Sequence, residues 1–211
     1  PYESIRLLGH GGCGLVDEVV IRGAATRECY ARKQVTMGKP ARRKEMVKQL
    51  QDEARIIRRL NHPHVVTVIS TYTRGAVFGI LMSPVADTDL KQFLEVTHEI
   101  DQWGDKMRLH GMVWRWIGCL IRGLDYIHEM RVKHRDIKPS NILIKDNRVL
   151  FTDFGISKTI PQDDTTGSDG TFGPMTRKYI APEALKESGR RGRAMDIYSL
   201  GCVFLEITAA L

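Results

Sequence analysis

The sequence predicts an α+β chain of two lobes, a small lobe of antiparallel strands with one helix and a larger, mainly helical lobe that is incomplete. Short alternating apolar runs broken by glycine fill the first third, and one helix-period segment interrupts them. Beyond Ser83-Pro84 the apolar spacing turns to that of long helices. The expected division is a β-rich lobe over residues 1–82, a hinge over 83–86, and a partial helical lobe over 87–211.

Ile5, Leu7 and Leu8, then Leu15 to Ile21, then Cys29 to Val35 read as three antiparallel strands. Pro40 opens a segment in which Met46, Val47, Leu50, Ala54, Ile57 and Leu60 recur at helical spacing, so a helix of about four turns is expected. Its end is expected near Asn61-His62-Pro63. Strands are expected over Val65 to Tyr72 and Val77 to Met82, and a short helix from Asp89 to Leu94. Met112, Trp116, Leu120, Leu124 and Ile127 mark one face of a long helix running to His128. Ile142 to Lys145 and Val149 to Phe151 flank an Asp146-Asn147 turn, the dipeptide of a tight hairpin. The last helix, Met195 to Leu211, is apolar nearly all round and must be enclosed by other chain, so the lobe reads as cut at its C-terminal side.

Composition excludes several classes. The 211 residues are 42% hydrophobic and 27% charged, which argues against disorder, collagen-like repeats and a membrane barrel. Cys13, Cys29, Cys119 and Cys202 lie far apart with no Cys-x-x-Cys pair, so reduced thiols are expected, with no disulfide framework or zinc ribbon. The N-terminus shows no basic-then-apolar leader, and the greasiest stretch is too short for a span and carries Asp196 and Glu206, so an intracellular chain, cytoplasmic or nuclear, is expected with no membrane anchor. The net charge of +7 is scattered apart from Arg42-Arg43-Lys44 and Arg190-Arg191-Gly192-Arg193. No RNP, zinc-finger or helix-turn-helix signature accompanies it, so no nucleic-acid partner is expected.

The first chemical signal is Gly9-His10-Gly11-Gly12-Cys13-Gly14-Leu15-Val16. The same six-residue glycine pattern opens a helix in dinucleotide-binding folds, whereas here Gly14 leads into a strand, so these glycines cap a hairpin. A turn without side chains can lie close over a polyphosphate and offer it backbone N–H groups. On the third strand Ala31, Lys33 and Val35 share one face, and Glu53 shares a helix face with Ile57 and Leu60, where it could hold the Lys33 ammonium. By itself such a pair is structural in most folds.

Its neighbours change that reading. His134-Arg135-Asp136-Ile137-Lys138-Pro139-Ser140-Asn141 follows the long helix, Asp153-Phe154-Gly155 follows the two short strands, and Ala181-Pro182-Glu183 and Asp196-Ile197-Tyr198-Ser199-Leu200-Gly201 come next. In this order and spacing, over residues 5 to 207, the chain resembles the eukaryotic protein kinases of serine/threonine type. The glycine turn and the Ser83-Pro84 spelling are similar to those of divergent kinases of filamentous fungi.

The resemblance implies a two-lobed kinase fold, ATP and Mg²⁺ as cofactors, and a protein Ser/Thr hydroxyl as acceptor. It implies that Gly9, Gly11 and Gly14 cover the phosphates and that Lys33, held by Glu53, neutralises two of them. Asn141 and Asp153 would ligate Mg²⁺, Asp136 would orient the substrate hydroxyl and accept its proton, and Lys138 would meet the γ-phosphate charge. Met82 would be the gatekeeper, Ser83 to Val85 the hinge that meets adenine, and Asp89 the ribose contact. Val16, Ala31 and Leu143 would sandwich the ring, a role compatible with core packing. Ile57, Val68, His134 and Phe154 would stack as an internal spine anchored by Asp196, which makes His134 a packed residue. His62 and His64 have turn and core roles as the alternative to a metal pair.

Lys138 and Thr176 point to Ser/Thr acceptors, and Arg135 beside Asp136 implies control by an upstream kinase acting on the activation loop. Thr171 is the favoured acceptor there, with Thr165, Thr166 and Ser168 as competitors. Arg32 departs from the family, which usually has an aliphatic residue at that place. A catalytically silent kinase-like scaffold or regulatory nucleotide-binding module is the alternative function, which degenerate motifs would favour and these intact ones do not.

Overall fold

The computed structural model describes residues 2–11, 14–24, 26–37, 43–97, 103–154, 178–182 and 192–210, with the side chains of His10, Glu53 and residues 103–105 left out. They fall into two compact units, one within residues 2–61 and 66–85, the other within 62–65 and from 86 onward.

The first unit is a five-stranded antiparallel sheet with one helix. Its strands are β1 (Tyr2–Gly11), β2 (Gly14–Ile21), β3 (Cys29–Thr36), β4 (Thr67–Arg74) and β5 (Val77–Ser83), in the order β1-β2-β3-β5-β4. Period-two alternation does what the sequence led us to expect: Ala31, Lys33 and Val35 of β3 are all buried, while their neighbours in the strand are more open. Helix α1 (Arg43–Ile57) packs against β4 and buries Met46, Leu50, Ala54 and Ile57. It ends earlier than the apolar spacing suggested. The Leu60 N–H donates to the Ile57 carbonyl at 2.9 Å, so Leu60 reaches the core from a tightened turn.

The second unit holds β6 (Thr88–Asp89), α2 (Leu90–Thr97), α3 (Trp103–Glu129), β7 (Ile142–Lys145), β8 (Arg148–Phe151) and α4 (Arg193–Ala209). Asp146 and Asn147 join β7 to β8 with φ of 47° and 59°, the left-handed pair that a two-residue hairpin requires. The two-residue strand β6 pairs with β7 and is too short to leave an alternating pattern in the sequence. Val113, Trp116, Leu120, Leu124 and Ile127 form the buried face of α3, and the Trp116 indole N–H donates to the Asn147 carbonyl at 3.0 Å.

One expectation needs correction. Val65 does not open β4; it makes a lone parallel bridge to Phe151, and the Phe151 N–H donates to the His64 carbonyl at 2.9 Å. These bonds draw His62–Val65 into the second unit, although the sequence placed them in the first lobe. Helix α4 buries Met195, Leu200, Val203 and Ile207, while Ile197 and Leu205 stay 61% and 71% exposed, so within the described residues it is enclosed on one side only. Among the described residues no helix is long and apolar enough to cross a membrane.

Candidate active site

The first unit holds the glycine turn and a buried lysine. Gly11 pairs with Gly14 where β1 meets β2, and Gly9 pairs with Val16. A Cβ on Gly14 would lie 1.8 Å from the Gln34 carbonyl oxygen, so packing of β2 on β3 alone demands glycine there. A Cβ on Gly9 would meet nothing within 4 Å, so the sheet leaves this position free to be chosen for another purpose. Lys33 lies across from Val16 on β2 and Ile80 on β5, and only 6% of it is exposed. Glu53 lies on α1; its side chain falls outside the described atoms. Met82 is buried between Ala31 of β3 and Val68 of β4, Ser83 closes β5, and Val85 follows half-buried.

The second unit brings Asp136, Lys138 and Asn141 together in the loop after α3. Asn141 Nδ2 donates to the Asp136 carbonyl at 2.8 Å and to Asp136 Oδ2 at 3.0 Å, and Lys138 Nζ lies 3.1 Å from the same Oδ2. The Thr152 N–H donates to the Asn141 carbonyl at 3.0 Å, which ties this loop to the segment carrying Asp153. Asp153 itself has φ of 59°, a conformation that non-glycine residues adopt only when the surroundings enforce it. Leu143 pairs with Leu150 and with Asp89 across β7. Asp89 Oδ1 accepts the Gln92 N–H at 2.9 Å, so the residue expected at ribose also caps the N-terminus of α2.

Beneath the loop, Asp196 of α4 accepts the His134 N–H at 2.9 Å and the Arg135 N–H at 2.8 Å. His128 donates from Nε2 to Asp196 Oδ2 at 3.0 Å, a contact the sequence reading missed because His128 looked only like the end of a helix. His134 is fully buried, its ring 4.6 Å from Phe154 and 5.5 Å from Phe151, and both ring nitrogens lack a hydrogen-bond partner. Burial outweighs the pull of Asp196, Asp136 and Asp153 and holds its pKa below the ordinary histidine value, so it packs as a neutral ring.

His62 and His64 have structural partners. His62 Nδ1 accepts the His64 N–H at 3.2 Å and its ring stacks on Tyr126 at 4.9 Å, while His64 Nδ1 donates to the Val149 carbonyl at 2.9 Å. Among the described residues no group of three or more His, Cys, Asp or Glu side chains is placed to hold a metal by itself. Thr165, Thr166, Ser168, Thr171, Thr176, Gly155 and Glu183 lie outside the described residues.

Arg32, the departure from pattern, has a partner the sequence did not indicate. On the sheet face opposite Lys33, its guanidinium donates from Nε to Asp17 Oδ1 at 2.9 Å and from Nη2 to Asp17 Oδ2, and Ser4 donates to the same Oδ2 at 2.7 Å. Burial alone would raise the Asp17 carboxyl, but the bonds from Arg32 and Ser4 outweigh it and hold its pKa below the usual value.

The donor set suits a small hard cation with polyphosphate. Both Nδ2 bonds of Asn141 go to Asp136, which leaves its amide oxygen able to serve as a ligand, and Asp153 could add a carboxylate.

The family model described as "Protein kinase domain" matches residues 2–210. Mitogen-activated protein kinase 5 of Arabidopsis thaliana is 34% identical over 96% of this chain and 51% of its own length. Serine/threonine-protein kinase RUNKEL of the same plant is 31% identical over 97% of this chain and 14% of its own length. Serine/threonine-protein kinase Nek11 of Mus musculus is 30% identical over 98% and 31%. The chain thus spans about half the length, or less, of these curated relatives.

Proposed function

Because the chain belongs to the protein kinase domain family, we propose that it transfers the γ-phosphate of Mg-ATP to a serine or threonine hydroxyl of a protein substrate. The observation that carries this is the cluster of Asp136, Lys138 and Asn141, with Asp136 Oδ2 shared between an ammonium and an amide N–H. When bound, Mg-ATP supplies the phosphoryl group and the charge that lets it leave.

The residues then have separate tasks. Asp136 orients the acceptor hydroxyl and takes its proton. Lys138 offsets negative charge at the transferring group, and Lys33 holds the neighbouring phosphates. Asn141 and Asp153 hold the cation, while Gly9, Gly11 and Gly14 let backbone approach the phosphates. Val16, Ala31, Met82, Ser83, Val85 and Leu143 take the adenine and Asp89 the ribose. The Ser/Thr preference is supported by Lys138 and by the names of the serine/threonine-protein kinases it is similar to. Arg135, exposed on its loop, is suited to pair with a phosphate placed on Thr171 by an upstream kinase.

The test is transfer from γ-labelled ATP to a Ser/Thr peptide library by the full-length protein, with Asp136→Asn and Asp153→Ala alongside. Label transfer by wild type and its loss in both variants is expected. If wild type transfers nothing and Asp136→Asn behaves identically, the chain is a silent scaffold instead.

A further inference from the structure

The buried ion pair behind Lys33 is unusual for its cost. Asp17 is 3% exposed, and pairing it with Arg32 takes two charges out of water for little net stability. What such a pair does supply is register. Asp17 faces Arg32 and Val16 faces Lys33 at adjacent rungs of the β2–β3 ladder. Since side chains alternate with period two, a one-residue slip of β3 would turn Lys33 away from its face and leave Asp17 buried without its cation.

The same face carries a second brace. Tyr72 of β4 lies across Gly79 of β5, where an added Cβ would come within 2.2 Å of its ring. Its hydroxyl accepts from Gln34 of β3 at 3.4 Å, and its ring lies 5.4 Å from that of Tyr2 on β1. Ser4 on β1, Asp17 on β2, Arg32 and Gln34 on β3, Gly79 on β5 and Tyr72 on β4 therefore form a polar and aromatic band that touches every strand.

We propose that Asp17 and Arg32 are positioning residues: their ion pair fixes the register of β2 against β3 and so keeps Lys33 on the nucleotide side beneath the glycine turn. The consequence for ATP rests on the function proposed above; the register itself does not.

The experiment uses the full-length protein with Asp17→Asn, Arg32→Ala, the milder Arg32→Lys and the apolar double variant Asp17→Leu/Arg32→Leu. Hydrogen exchange over β2 and β3 is read against β4 and β5, and KM for Mg-ATP is read against kcat. If the correct register falls to about one molecule in ten, KM rises about tenfold while kcat at saturation changes much less. Arg32→Lys, which keeps charge but loses the fork, should fall between wild type and Arg32→Ala. The double variant should regain thermal stability yet keep the faster exchange and the raised KM. A double variant with wild-type exchange and wild-type KM overturns the proposal, and it does so even if the single variants fail to fold. Should wild type show no ATP turnover, the function fails on its own, and exchange over β2 and β3 still decides the register.

Discussion

The Asp196 carboxylate accepts the Arg135 N–H at 2.8 Å, and Arg135 holds a left-handed φ of 68°. A long cationic side chain enters that region only when something fixes the backbone, and here a buried acid from α4 does so. Removing it leaves the His134 and Arg135 N–H groups without their acceptor. Asp196→Ala should therefore cost about 3 kcal/mol in urea unfolding and reduce turnover further than that loss explains.

Asn141 acts on the same loop from the other side. It is buried and gives both amide hydrogens to Asp136. Asn141→Ala should lower kcat by about 10² or more, with a stability loss of about 1–2 kcal/mol. A steady-state assay at saturating ATP, paired with a melt, separates the two effects.

The glycine turn offers an internal contrast. Gly14→Ala drives a Cβ into the Gln34 carbonyl and should destabilise the protein by about 2–3 kcal/mol whether or not nucleotide is present. Gly9→Ala meets open space, so its melting temperature should stay at the wild-type value while nucleotide affinity falls. Equal stability losses in both variants would contradict this division.

Acid should weaken the fold in two windows. Burial depresses the pKa of His134, and burial with the His64 charge depresses that of His62, so the unfolded chain binds protons that the folded chain refuses. Their contribution is fully present above the unfolded value of about 6.5 and is lost as pH falls toward the folded values. The Asp17 carboxyl, also depressed, contributes above about 3.9 and is lost at lower pH. Unfolding free energy measured from pH 7.5 to 5.5 should decline, and His134→Phe should flatten that slope.

Much of this was legible because it is local. Alternation along β3 placed Ala31, Lys33 and Val35 on one buried face, the Asp146-Asn147 turn announced its hairpin, and the apolar stripe of α3 named Trp116, Leu120, Leu124 and Ile127 of its core, though Val113 and not Met112 is the buried residue at its start. The clustering of the loop residues was legible for the same reason, since Asp136, Lys138 and Asn141 sit within six residues and one short loop brings them together. Val65, His128 and Arg32 were not, because their partners lie far away in sequence at Phe151, Asp196 and Asp17.

The sequence by itself determined most of the element order, through its periodicity, and the resemblance of its motifs pointed to the family and to the groups proposed for phosphate chemistry. Only the tertiary structure decided that Gly14 is required by the sheet, that Asp89 caps a helix, and that the unexpected Arg32 is half of a buried ion pair. Steric exclusion and the satisfaction of buried charge depend on which strand comes to lie beside which, and that is fixed by folding.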